Sequence, residues 1–197
     1  MIDKLSDGIV KWLSKEGAIA ENERTLFSYA VYSLLFGMAP IAITIVLGLL
    51  FDMLAEGFLM ILPFMLIRKF SGGYHLGSAK VCCVLSTTLL LAAFLLMKMF
   101  LFFSGSYALL FLVLVASLCI VLLSPIDSDA RKLSHKEIRV FKTVARLLAV
   151  VFCVVYIVLV ILDKESLAIP IGVGITVVAF LQLPCIIQRT IYRLRIK

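Results

Sequence analysis

Long apolar runs separated by short polar breaks dominate this chain. Phe27 to Phe51 contains no charged residue, and a helix of about 20 residues crosses a hydrocarbon core about 30 Å thick, so this run predicts a first membrane span. Asp52 and Glu56 mark a short turn. Met53 to Ile67 is apolar but brief, with Pro63 inside it, which predicts a tilted or thinned span or a re-entrant segment. Four more runs follow at 81–103, 107–123, 145–162 and 167–187, broken by Ser104-Gly105-Ser106, by the polar loop Ser124 to Arg139, and by Asp163-Lys164-Glu165. The start of the chain has a different period. Ile2, Leu5, Ile9, Trp12 and Leu13 recur at helical spacing between Asp3, Lys4, Asp7, Lys11 and Lys15, which predicts an amphipathic helix over 1–17, lying in the membrane interface or capping the bundle. The predicted fold is all-α: a polytopic membrane helical bundle with about six transmembrane segments (27–51, 53–67, 81–103, 107–123, 145–162, 167–187) after an N-terminal amphipathic helix, in one domain over 1–197.

Composition agrees with that pattern. Apolar residues make up 63% of the chain and the mean hydropathy is +1.14, far above the roughly 45–50% apolar content of a soluble domain. The net charge of +7 is unevenly placed: the pieces 1–26, 68–80, 124–146 and 188–197 hold 17 of the 19 Lys and Arg residues. Basic loops stay on the cytoplasmic side, so both termini are expected there, and anionic inner-leaflet lipid accounts for the charge without a nucleic-acid partner. No cleavable signal peptide is expected, since the first sixteen residues lack an uninterrupted apolar centre. Cysteines at 82, 83, 119, 153 and 185 are odd in number, with three inside apolar runs, a pattern that argues against a disulfide framework.

Candidate chemistry is concentrated between spans two and three, in the run from Arg68 to Cys83, where glycines, a histidine, basic residues and thiols lie together. Gly72-Gly73 is expected to break the helix, Gly77 offers a second bend, and Ser78 is a candidate N-cap for the next span. Cys82 then falls in a first helical turn near Lys80, where helix dipole and cation favour a thiolate. His75 lies seven residues earlier, about 10.5 Å along an unbroken helix at 1.5 Å per residue, so the glycines must fold the loop back if imidazole and sulfur are to meet. Cys83 points roughly 100° away from Cys82 in the same helical frame. Three readings are open on spacing: a Cys/His catalytic pair; a small apolar cysteine beside a solvated histidine; or a metal site using His75, Cys82, Cys83 and His135, which lacks any Cys-x-x-Cys spacing. Ser86, Thr87 and Thr88 either line a polar pocket or bond back to their own helix. No metal and no cofactor is expected.

The run Arg68-Lys69-Phe70-Ser71-Gly72-Gly73-Tyr74-His75, with Cys82 seven residues after the histidine, resembles the motif of the AgrB family (accessory gene regulator protein B). The six-span layout, the length and a Ser-Pro-Ile-Asp loop between spans four and five are similar too. The resemblance implies a membrane-embedded cysteine endopeptidase with Cys82 and His75 as catalytic pair and Arg68, Ser71, Gly72 and Gly73 as supporting motif positions. Its implied partner is a precursor peptide of the AgrD type, cleaved through a thioester on Cys82 and cyclised to an autoinducing, quorum-sensing peptide. The implied setting is the cell membrane, multi-pass, with the active site on the cytoplasmic side. Lys69, Arg131 and Lys132, with Arg68 and Lys136, are candidates either for holding an acidic precursor tail or for lipid anchoring alone; Asp127 or Asp129 either orients His75 or serves as a solvated anchor of the loop. A homodimer is a further candidate assembly. The competing class is a small membrane transporter or channel subunit in which Pro63 and Gly72-Gly73 mark a broken helix; against it, no acidic residue stands in the middle of a span.

Overall fold

The computed structural model describes residues 2–19, 23–71, 79–125 and 135–195, and side chains for 5–19, 23–71, 81, 83–125 and 137–183. Helices account for nearly all of it: α1 (Ile2–Lys15), α2 (Arg24–Phe51), α3 (Leu54–Ser71), α4 (Ala79–Phe102), α5 (Ser106–Leu123), α6 (His135–Ile161) and α7 (Glu165–Arg195). No strand occurs among the described residues. Five of these helices, α2, α4, α5, α6 and α7, contain stretches long and apolar enough to cross a membrane. The fold is an all-α polytopic bundle.

Four helices end in the same way. At Gly17, Asp52, Ser104 and Asp163 the chain takes a positive φ of 69°, 56°, 48° and 53°. Each time the next N–H reaches back to the carbonyl five residues earlier: Ala18 to Leu13, Met53 to Gly48, Gly105 to Phe100 and Lys164 to Leu159. These bonds satisfy carbonyls that the helix end leaves open. Glycine and aspartate tolerate the left-handed conformation better than branched residues do, and the last three positions are the short polar breaks visible in the sequence.

The chain forms two compact units, Met1–Ile43 and Thr44–Lys197. In the first, Val10 and Ser6 of α1 are buried, and the Ser6 hydroxyl donates to the Ser28 carbonyl of α2 at 2.9 Å.

The second unit is built around α7, which touches α3, α4, α5 and α6. In its apolar window 72% of residues are buried, against 22% in the windows of α4 and α6, so α7 is the central helix and the others divide their surface between protein and lipid. Small residues permit the crowding. A Cβ at Gly174 would meet the Met60 carbonyl and, at 2.8 Å, Pro63 Cγ; one at Gly172 would stand 2.6 Å from Tyr156 Cε2 and 2.9 Å from Leu109 Cδ2. With no hydrophobic force between helices in lipid, close backbone approach and dispersion hold the packing. Outward residues such as Phe111, Leu122 and Leu147 are apolar and exposed, as bilayer-facing surface requires.

The segment expected to be tilted, thinned or re-entrant is one continuous helix. α3 holds 18 residues with Pro63 inside it, about 27 Å long at 1.5 Å per residue. Its face of Gly57, Met60, Ile61, Pro63, Phe64, Ile67 and Ser71 is buried, so packing on α7 carries the helix through the proline. Helices also outrun the apolar windows: α6 starts at His135 rather than near 145, and α7 continues to Arg195 through the basic tail. Hydropathy marks where a helix suits lipid; basic residues are good helix formers and do not stop it.

Candidate functional site

The described part of the motif is the last turn of α3. Ile67 and Ser71, one turn apart, are fully buried. Arg68 is half-buried with its guanidinium carbon 5.6 Å from the Phe64 ring centroid, a cation–π placement. Lys69 is exposed, its ammonium 5.8 Å from the Phe70 ring. Phe70 meets Phe141 of α6 edge-on, at 5.6 Å and 86°. Burial at 67 and 71 and the aromatic pair at 70 thus hold the end of α3.

Cys82 lies in the first turn of α4, which begins at Ala79, as the sequence predicted. Its side chain lies outside the described residues, as do Gly72, Gly73, Tyr74, His75, Gly77, Ser78 and the side chain of Lys80. Asp127, Asp129, Arg131, Lys132 and the side chains of His135 and Lys136 are outside them as well. Cys83 is a free, exposed thiol. Further along α4, Leu90, Ala93, Phe94 and Met97 are buried. The Thr87 and Thr88 hydroxyls donate to the carbonyls of Cys83 and Val84 at 2.9 and 3.0 Å; they bond back to their own helix. No cluster of His, Cys, Asp and Glu suited to a metal occurs among the described residues.

A polar group unforeseen from the sequence closes the last turn of α5. Ser124 N–H donates to Ile120 O at 3.0 Å, Arg146 Nε of α6 donates to Val121 O at 2.9 Å, and Gln182 Nε2 of α7 donates to Ser124 Oγ at 3.0 Å. Helix ends leave carbonyls open, and here neighbouring helices supply the donors. Ser124 and Gln182 are buried; Gln182 Oε1 has no hydrogen-bond partner among the described residues. The available signal was a lone amide in the otherwise apolar run 167–187.

At the other end of the same helices, the Ser106 hydroxyl donates to Glu165 Oε1 at 2.6 Å and the Tyr156 hydroxyl donates to the Ser106 carbonyl at 2.6 Å. This ties the starts of α5 and α7 to the end of α6. It is a structural clasp, far along the bundle from the end of α3.

Comparison with known proteins adds the family. The chain is similar to two AgrB-like proteins of Clostridium perfringens: one from strain 13 / Type A, 29% identical over 85 residues, and one from strain SM101 / Type A, 31% identical over 85 residues. Each alignment covers 43% of this chain and 40% of the relative, so the matched stretch spans less than half the length of either relative. No solved structure matches. The family model for Accessory gene regulator B matches residues 6–183, a range that takes in the motif from Arg68 to Cys82 and all five of the membrane-length apolar stretches. This multi-pass membrane chain therefore belongs to the AgrB family.

Proposed function

We propose that the chain is a membrane-embedded cysteine endopeptidase, one catalytic domain over 1–197, that cleaves a small AgrD-type precursor and supports its cyclisation to a quorum-sensing peptide. The observation that carries this reading is the Arg68…His75…Cys82 motif inside the family match. The start of α4 supports it, because the free N–H groups and dipole of a first helical turn stabilise a thiolate.

In this mechanism His75 takes the Cys82 proton and the thiolate attacks the scissile carbonyl. The tetrahedral intermediate collapses, the C–N bond breaks, and His75 returns the proton to the leaving amine. The acyl group is now a thioester on Cys82. A precursor thiol attacks it, the Cys82 C–S bond breaks, and a thiolactone forms while the proton returns to the enzyme. Exclusion of water from the acyl-enzyme favours ring closure over hydrolysis. Gly72 and Gly73 let the loop turn back toward the sulfur, Ser71 is the buried anchor before that turn, and Arg68, Lys69, Arg131 and Lys132 hold an acidic precursor tail by charge-assisted hydrogen bonds. The distribution of Lys and Arg over alternate polar pieces supports a cytoplasmic setting for the site and both termini.

The test is co-expression with the cognate precursor and mass spectrometry of the product. Cys82→Ala and His75→Ala each abolish cleavage at unchanged expression, Cys83→Ala does not, and the released peptide shows the water loss of ring closure. Cleavage that survives Cys82→Ala but not Cys83→Ala overturns the nucleophile assignment; cleavage surviving both overturns the peptidase reading.

A further inference from the structure

In the unit Met1–Ile43, α1 uses only part of its apolar face. Its packed edge is Ser6 and Val10, 1% and 2% exposed. Two hydrogen bonds set its position: Ser6 Oγ donates to Ser28 O at 2.9 Å, and Ser28 Oγ donates to Asp7 Oδ1 at 3.2 Å. Ser28 lies in the second turn of α2, a helix of 28 residues, about 42 Å long at 1.5 Å per residue. That length matches the roughly 40–45 Å of hydrocarbon plus headgroup layers. The bonds therefore hold α1 at the level of the headgroups.

The opposite edge is uncovered. Leu5 and Trp12, two helical turns apart, are 52% and 60% exposed. Lys11 and Lys15 are exposed beside them. Asp7 accepts from the Ser28 hydroxyl, and Lys11, one turn further along the same side, and Lys15 are exposed, with Glu16 exposed after them. An indole with a leucine below a basic crest suits the boundary between acyl chains and anionic headgroups, where the ring sits apolar-side down with its N–H toward water.

We propose that this edge of α1 docks on an anionic bilayer surface, with Leu5 and Trp12 among the upper acyl carbons and Lys11 and Lys15 on lipid phosphates. Each lysine near such a surface shifts the docked population about fivefold. The proposal stands apart from the peptidase reading and concerns a different unit.

Trp12 is the sole tryptophan of the chain, so its fluorescence reports this edge in the full-length protein. The chain is reconstituted in phosphatidylcholine vesicles with and without phosphatidylglycerol, the lipids brominated either near the headgroup or near the chain ends. The expected result is quenching by headgroup-side bromines, weaker quenching by chain-end bromines, and an increase with phosphatidylglycerol. Lys11→Glu with Lys15→Glu removes that increase and lowers the docked-to-undocked ratio by at least about 25-fold, from two lysines at about fivefold each. Quenching by aqueous iodide and not by bromolipid would put the edge in water and overturn the proposal. Protection from both quenchers would mean a protein cover, such as a second copy, and overturn it equally. Bromolipid quenching indifferent to phosphatidylglycerol would reduce the surface to a purely apolar one and sink the anionic-lipid assignment.

Discussion

A methyl group on Gly174 of α7 would run into the backbone carbonyl of Met60 and lie 2.8 Å from Pro63 Cγ. Both obstacles belong to α3, and neither is the free end of a flexible side chain: one is helical backbone, the other a ring closed on it. Overpacking of this kind costs about 1–3 kcal/mol, and the rigid obstacles put Gly174→Ala at the upper end. Alanine recovers about 1 kcal/mol over glycine in a helix, leaving a net loss of about 2 kcal/mol. For a chain of this size that corresponds to a fall in Tm of roughly 4–8 °C. The assay is thermal unfolding in detergent, followed by helical circular dichroism, with Gly37→Ala as control, because a Cβ at Gly37 meets nothing within 4 Å. The control should melt with the parent or slightly above it. Relief of the clash moves α3 away from α7, and the end of α3 carries Arg68 and Ser71, so precursor cleavage by Gly174→Ala should also fall at temperatures where the fold is intact. A Gly174→Ala variant that melts no lower than Gly37→Ala would refute the close α3–α7 packing on which this reasoning stands.

Two other outcomes test the polar end of α5 and the orientation of the bundle. Ser124→Ala strands the Gln182 amide, whose Nε2 bonds Ser124 Oγ at 3.0 Å, and should cost about 1–3 kcal/mol; Gln182→Leu with Ser124→Ala should restore stability to within about 1 kcal/mol, and strictly additive single effects in a double-mutant cycle would exclude the coupling. A reporter active only in the cytoplasm should be active when fused after Lys197 and silent when placed in the turn at Ser104; the reverse pattern would overturn the charge-based orientation.

The sequence by itself determined the apolar spans, the amphipathic start, the tight turns at Asp52, Ser104 and Asp163, and the motif that leads to the family. Each is a local property: a run long enough for lipid, a helical period, a polar break, a fixed spacing of residue types. Only the tertiary structure decided that α7 is the central helix, that α3 runs unbroken through Pro63, and that Gly174 lies against Met60. Hydropathy measures the preference for leaving water, and an apolar side chain meets that preference equally in lipid and between helices, so it cannot say which helix the others surround. The Gln182–Ser124 bond and the Arg146 cap on Val121 were hidden for a related reason. Their partners are 58 and 25 residues apart, and only packing brings a donor on one helix to the open carbonyl or hydroxyl at the end of another.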